Sequence, residues 1–179
     1  MTALDDPGSL QLAFTVAVRQ AEKDDVKKLE WHGQFRHFRN LIRRAYQEQR
    51  KGRRLMLVVD FNGFPIAQIF VQFTANNRRI ADGQTRAYLY SFRVMDLFQR
   101  QGIGTYLMHQ AEHELIQRGF LYATIAVAKD NEGAQRLYSR LGYHVIGDDP
   151  GKWHYIDHRG MTQYVNEPCW VLEKRLEIP

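Results

Sequence analysis

The sequence predicts an α/β protein, and three observations carry that prediction. Short runs rich in β-branched and aromatic residues alternate with segments whose apolar residues recur at helical spacing. Asn62-Gly63 stands between two apolar runs, the mark of a β-hairpin. A glycine-rich junction, "QRQGIGT" from Gln99 to Thr105, separates a strand-like run from a helical one. At 179 residues the chain is long enough for one full-sized core. Residues 1–12 read as a flexible lead-in and 13–179 as one domain.

Taken in order, "AFTVAVRQA" (13–21) has the composition of a strand. Asp24 and Asp25 are placed to cap and charge a helix carrying Val26 and Leu29. Residues 34–52 predict a longer helix with Phe35, Phe38, Leu41, Ile42, Ala45 and Tyr46 on one stripe and Gly52 as its stop. Residues 54–74 are the hairpin, with Pro65 at the start of its second strand, where a missing donor is tolerated. In "TRAYLYSFRV" (85–94), simple alternation puts Tyr88, Tyr90, Phe92 and Val94 on one face. Ile103, Leu107, Met108, Ala111, Leu115 and Ile116 form a helical stripe ended by Gly119. A strand over 120–128, a short helix over 131–141 stopped by Gly142, and a strand over 143–147 follow. A loop of about twenty residues then leads to a final strand, "CWVLEKRLE" (169–177), and a loop that long suggests function.

Composition excludes several classes. Hydrophobic residues make up 44% and charged residues 25%, as in ordinary globular proteins, and no apolar run reaches membrane-spanning length. The acidic, polar start lacks the features of a secretory signal. A single cysteine, Cys169, permits neither an internal disulfide nor a thiolate zinc cluster. The expected compartment is the cytoplasm, with no membrane partner. Residues 36–54 hold eight basic side chains against one acid, a local charge of +7 in a chain of +5, so the rest carries −2. Such a segment suits nucleic acid, anionic lipid or an acidic substrate, or it is simply a solvated helix face. "HYIDH" (154–158) resembles a metal cluster, but histidines on a loop are more often solvated, and no metal is expected.

A glycine-rich strand-to-helix junction has one common chemical use. First-turn amides lack internal partners, the helix dipole makes that end positive, and glycine lets an anion approach them. The dinucleotide pattern fails, because Leu107 stands where its third glycine belongs, and no Gly-Lys-Ser/Thr follows for a nucleotide loop. Gln99, Gly102 and Gly104 do match the acyl-CoA motif Gln/Arg-x-x-Gly-x-Gly/Ala. Asn131, Ala134, Tyr138, Gly142 and Tyr143 match the second motif of the same family in the right order and separation. On these residues the chain resembles the GCN5-related N-acetyltransferase (GNAT) superfamily, closely over about 55–147 and by element order over 13–54.

The resemblance implies a mixed, mostly antiparallel sheet of six to seven strands with helices on both faces. Two central parallel strands, about 86–94 and 121–128, would splay apart. It implies acetyl-CoA as cofactor, its pantetheine beside the backbone of Phe92, Arg93 and Val94. Its pyrophosphate would lie on Arg100, Gln101, Gly102, Ile103, Gly104 and Thr105. Gln99 would shape the loop, and Asn131 would cap its helix and bond the pantetheine. Val94 N–H would be the oxyanion donor and Tyr138 the general acid. The expected reaction is direct attack of a primary amine on acetyl-CoA in a ternary complex. The acceptor is a small amine, or alternatively a peptide or protein. A basic nucleic-acid-binding module and a non-catalytic acyl-CoA-binding regulator are the readings from other classes, with nucleic acid the less expected partner. A monomer or homodimer is expected.

The general base stays open. Tyr88 occupies the position where some family members carry a glutamate, and a phenol is a poor base at neutral pH. Glu30, His32, Asp60, Glu167 or a water relay are the alternatives. For the acceptor, Arg39 and Arg43 are the candidate anion partners, and Tyr88, Tyr155 and Glu167 the candidate walls and amine contacts.

Overall fold

The computed structural model of the chain describes residues 13–177, so the lead-in expected over 1–12 lies outside the described residues. In chain order the elements are β1 (Ala17–Gln20), α1 (Asp25–Lys28), α2 (Arg39–Arg50), β2 (Arg54–Phe61), β3 (Phe64–Gln72), β4 (Arg86–Val94), α3 (Ile103–Gln117), β5 (Tyr122–Ala128), α4 (Glu132–Arg140), β6 (His144–Asp149), β7 (Lys152–Ile156), β8 (Thr162–Asn166) and β9 (Cys169–Arg175). Seven strands form one sheet in the order β1-β2-β3-β4-β5-β9-β6. Within it β4 and β5 run parallel and the other neighbours are antiparallel, the mixed architecture that the sequence predicts.

Both faces of the sheet are covered, which explains why β2 and β3 read as nearly unbroken apolar runs. Leu55, Leu57 and Val59 of β2 join Ile69 and Val71 of β3 under Leu107, Met108, Ala111 and Leu115 of α3. Met56 and Val58 turn to the other face, onto Leu29, Ile42, Ala45 and Phe70. Burying each such side chain contributes about 1.5–3 kcal/mol. Glu112 of α3 is buried in the first layer, where it accepts from Tyr143 Oη at 3.0 Å and pairs with Lys174 Nζ at 2.7 Å. That pair ties the α3 face to β9.

Several local expectations are corrected. Neither Asp24 nor Asp25 caps α1 with its side chain. Asp25 is buried and paired with Arg19 at 2.6 Å, and Arg19 reaches Asp60 at 2.6 Å, so Arg19 ties α1 and β2 to β1. The helix expected from residue 34 begins at Arg39, after two short 3-10 turns at Trp31–Gly33 and Arg36–Phe38. The backbone leaves helical geometry inside the expected span, at Phe35 (φ −110°, ψ 22°) and again at Phe38 (φ −90°, ψ 6°). Just before it, the buried indole of Trp31 donates to Pro65 O at 3.0 Å, and the chain turns through positive φ at Trp31 (42°), His32 (58°) and Gly33 (99°). The end of α2 is as expected: Gly52 N–H bonds Gln49 O and Arg53 N–H bonds Glu48 O, the paired closure of a glycine-terminated helix.

The alternation predicted for β4 fails at Ser91. Ser91 has φ 54°, and the register with β3 slips there, so one extra residue is inserted in β4. Tyr90 therefore packs with Phe70 on the α2 face, while Phe92 and Val94 lie against Gly104 on the α3 face. Arg93 is turned to the α2 side, over the rings of Phe35 and Phe38.

The long loop expected over 148–168 is also corrected. β6 continues to Asp149, and β7 and β8 pair from Lys152↔Asn166 to Ile156↔Thr162. Asp157 builds the turn: Oδ1 accepts from Arg159 N–H at 2.8 Å and Met161 N–H at 3.0 Å, and Oδ2 from Gln163 Nε2 at 2.9 Å. The alternation in "KWHYI" is a strand signal that the polar surroundings hide.

Gly151 and Gly160 separate space from backbone strain in this hairpin. Both have positive φ, but a Cβ at 151 would overlap the carbonyl of Glu167, whereas one at 160 meets nothing within 4 Å. Gly160→Ala is expected to lower stability by about 1–2 kcal/mol. Gly151→Ala is expected to cost roughly 3 kcal/mol or more, because backbone must move as well. Urea denaturation compares the two, and equal losses would refute the close packing at the hairpin base.

Candidate active site

The site begins where the ladder between β4 and β5 stops. The two strands pair from Arg86↔Tyr122 to Leu89↔Ile125 and no further, although β4 runs on to Val94 and β5 to Ala128. The Ser91 bulge bends β4 away at this point. Gln68 of β3 holds the bulge. Its fully buried side chain donates from Nε2 to Ser91 O at 3.0 Å and to Ser91 Oγ at 2.9 Å. Met95 N–H bonds Ile66 O at 2.9 Å. By strand alternation the N–H and C=O of Val94 then point away from β3, into the gap that β5 leaves. The carbonyl accepts from Gln99 Nε2 at 3.0 Å, and that side chain also reaches Asp96 Oδ1 at 3.0 Å. Gln99 thus shapes the loop.

The mouth of α3 opens beside this gap. Among the described residues, no protein acceptor meets the backbone amides of residues 100 to 105, and the first amide bonded into the helix is that of Tyr106, to Gly102 O at 2.9 Å. Arg100 (φ 60°) and Gly102 (φ 82°) both take left-handed conformations that turn the chain across the helix end. The Gly102 Cα faces open space, while a Cβ on Gly104 would lie 3.1 Å from Phe92 Cζ. The two glycines therefore do different things: the first leaves the mouth bare, and the second lets α3 press on β4. Free amides, a helix dipole and the exposed Arg100 side chain suit a pyrophosphate, and the strand gap suits a narrow pantetheine arm. These residues fit the nucleotide end and the arm of coenzyme A. Asn131 caps α4 by accepting from Ala134 N–H at 3.0 Å.

Tyr138 of α4 is buried against Phe92, with ring centroids 6.3 Å apart. Desolvation pushes its hydroxyl well above the ordinary phenol range, so it stays a neutral proton donor through neutral pH. Tyr88 is similarly raised by burial and then by the nearby Cys169, Asp149 and Tyr138. It is therefore even less suited to be a base than an exposed phenol.

On the α2 side, Arg93 lies 4.2 Å from the Phe35 ring centroid and 4.9 Å from that of Phe38. Tyr155 of β7 closes over Phe38 at 5.0 Å, and Asn40 Nδ2 fastens the hairpin through Asp157 O at 2.7 Å. His37 stands between the Phe38 ring (4.1 Å) and Tyr155 (6.4 Å). Of the acceptor candidates read from the sequence, Tyr155 is here. Arg39 is held by Glu30 through two bonds of 2.6 and 2.8 Å, and Arg43 and Glu167 are exposed. Of the candidate bases, Glu30 and Asp60 are engaged in ion pairs and His32 stacks on Phe64 at 5.5 Å. Sequence reasoning missed the side chains of Arg93 and His37. The inserted residue at Ser91, with no glycine to mark it, hid the first. Arg44, Arg53 and Arg54 of the basic segment go elsewhere, to a cleft of about 790 Å³ shared with Arg118. Among the described residues, no group of three His, Cys, Asp or Glu could hold a metal ion, and no helix is long and apolar enough to cross a membrane.

A parallel strand pair that parts beside a helix mouth of free amides leaves room for an acyl-pantetheine donor. The sequence profile of the acetyltransferase (GNAT) family matches residues 23–143, two thirds of the chain, and the chain belongs to that family. It is an acetyltransferase of the kind that uses acetyl-CoA. Solved structures agree in fold. The ribosomal-protein-S18-alanine N-acetyltransferase of Escherichia coli superposes with a TM-score of 0.68 at 20% identity, covering 92% of this chain and 96% of that one. The PaiA N-acetyltransferase of Thermoplasma acidophilum, in complex with coenzyme A, gives 0.65 at 16% identity, covering 90% and 99%. An N-acetyltransferase of Staphylococcus aureus gives 0.70 at 12% identity, covering 91% and 99%. No curated protein sequence is significantly similar to the chain.

His37 gives the site a pH signature. Burial, then the charge of Arg93, lowers its pKa below 6.5, against an opposing pull from Asp157. Between that lowered value and about 6.5 the unfolded chain binds the extra proton and the folded chain does not. The stability is therefore fully present above about 6.5 and is lost as pH falls toward the folded value. The denaturation midpoint of the wild type should drop more between about pH 7.5 and 5.5 than that of His37→Gln. Equal drops would mean that the imidazole titrates normally.

Proposed function

We propose that the chain acetylates the primary amine of a small molecule by direct attack on acetyl-CoA, with both substrates bound together. One observation carries the reading: the Val94 amide opens into the strand gap that α4 flanks with the buried Tyr138, next to the free amides of the α3 mouth. Acetyl-CoA supplies an activated acetyl thioester. The amides of residues 100–105 hold its pyrophosphate, and the edges of β4 near Phe92 to Val94 hold its arm. Asn131, whose cap leaves Nδ2 unengaged, reaches the same arm.

The amine nitrogen bonds to the acetyl carbon, and the C–S bond breaks. Val94 N–H receives the carbonyl oxygen as it gains charge. Tyr138 gives its proton to the departing thiolate and is reprotonated from solvent. The nitrogen loses one proton to water, so the products are an N-substituted acetamide and a free thiol. The raised pKa of Tyr138 is compatible with this, because the same desolvation raises the proton affinity of a thiolate in that site. A small acceptor is favoured over an extended peptide because the hairpin is fastened across the α2 side by Asn40 and Tyr155.

Two outcomes test the reading. Acetyl-CoA at about a hundred times its Kd should stabilise the protein by roughly 2.7 kcal/mol, and Gly102→Val, whose Cβ meets no neighbour but which puts a β-branched residue at φ 82°, should abolish the thermal shift while cooperative unfolding shows the variant is folded. An undiminished shift in Gly102→Val would place the donor elsewhere. Tyr138→Phe should lower kcat by roughly 10²-fold or more while acetyl-CoA affinity stays close to the wild-type value. Wild-type kcat, under conditions where chemistry limits turnover, would reduce Tyr138 to a packing residue.

A further inference from the structure

Arg93 is the feature that the fold does not use up. The bulge turns it onto the α2 face one residue before Val94, and its guanidinium lies against the rings of both Phe35 and Phe38. Among the described residues it forms no ion pair and no side-chain hydrogen bond, and its Nη1 is shut off from water without a partner. The contrast with its neighbours is sharp: Arg19 and Arg39 have carboxylates at 2.6 Å, and Arg86 has Glu173 at 2.8 Å. Desolvation lowers the pKa of Arg93 to about 10. The rings recover only part of the cost of taking a guanidinium out of water. The Asp157 carboxylate, which acts on His37, is committed to its own hairpin turn, and His37 is neutral or positive and cannot compensate. Gln68 Oε1, on the same sheet face, is also buried without a partner, but it carries no charge.

We propose that Arg93 receives the carboxylate of the acceptor, which makes the acceptor a small amino acid-like molecule bearing a primary amine and a carboxylate a few bonds apart. The inference rests on the acetyl-transfer reading, because that reading places the reacting amine beside Val94. A carboxylate on the planar fork of Arg93 supplies the missing counter-charge and can bond it through two parallel N–H groups. The short reach from Arg93 to the Val94 amide limits the spacing between the two acceptor groups. The aromatic rings that exclude water from Arg93 strengthen the pair. The same positive charge disfavours an ammonium nearby, so it helps present the amine neutral, as attack on a thioester requires.

The test compares wild type, Arg93→Met and Arg93→Lys on free amino acids and ω-amino acids matched with their carboxamides, following thiol release from acetyl-CoA. The methionine keeps an apolar contact for Phe35 and Phe38, and cooperative thermal unfolding verifies that each variant is folded. The wild type should prefer the free acids roughly 10- to 100-fold in kcat/KM, mainly through KM, as expected for a hydrogen-bonded charge pair. Arg93→Met should bring the acid-to-amide ratio to about one, with Arg93→Lys between. Carboxamides turned over as well as free acids by the wild type, or a ratio unchanged in Arg93→Met, overturns the proposal. A readout that needs no turnover is the Arg93 Nε–H resonance, assigned by its absence in Arg93→Met. Millimolar N-acetylglycine and N-acetylphenylalanine should shift it where N-acetylphenylalaninamide does not. Absence of any shift from the free acids equally overturns the role of Arg93. Failure of the underlying reading looks different: acetyl-CoA then gives neither a thermal shift nor thiol release with any amine.

Discussion

The site depends on an interrupted ladder. β4 and β5 hold each other over four register pairs, Arg86↔Tyr122 to Leu89↔Ile125, and then separate. A sheet interior normally satisfies each backbone group with a neighbour, and polar groups left open there are costly unless something else binds them. Here β5 stays paired to β9 along its other edge through Ala128, so the opening is confined to one side. The bulge at Ser91 bends β4 out, and the buried amide of Gln68 locks the bent shape. A polar side chain inside a nearly apolar strand thereby serves the geometry of its neighbour.

From that opening the other parts take their positions. The close approach of α3 to β4, allowed by Gly104 beneath Phe92, brings the helix mouth to the edge of the gap. Phe92 also touches Tyr138, so one ring links the donor end, the bulged strand and the α4 phenol. The buried Glu112–Tyr143–Lys174 group fixes the residues just after α4 to α3 and β9. Removing one member of such a group leaves an unpaired buried polar atom, so it specifies one arrangement.

The bulge also divides the chemistry between the two faces. Phe92 and Val94 go to the α3 side with the donor, and Arg93 goes to the α2 side with Phe35, Phe38, His37 and Tyr155. With regular alternation, Phe92 would have shared the Tyr90 face. The hairpin β7–β8 then roofs the α2 side.

The residues that are legible in the sequence are those whose signal is local. Asn62-Gly63 gives a turn whatever lies around it, Gly52 ends α2 because only a left-handed residue closes it, and the α3 stripe buries itself by its own spacing. The glycines and amides of 99–105 belong to this class, since a helix mouth is made by neighbours in sequence. What the sequence alone could not decide were features set by contacts between distant residues. Phe35 and Phe38 leave helical geometry inside the predicted helix, where their rings meet Arg93 of β4, and Asp25 makes no cap because Arg19 reaches it. Ser91 bulges because Gln68 of another strand holds it, and Arg93 changes sides as a result. One inserted residue inverts every side chain beyond it, and no local preference of serine, phenylalanine or arginine records on which side of the sheet they will fall.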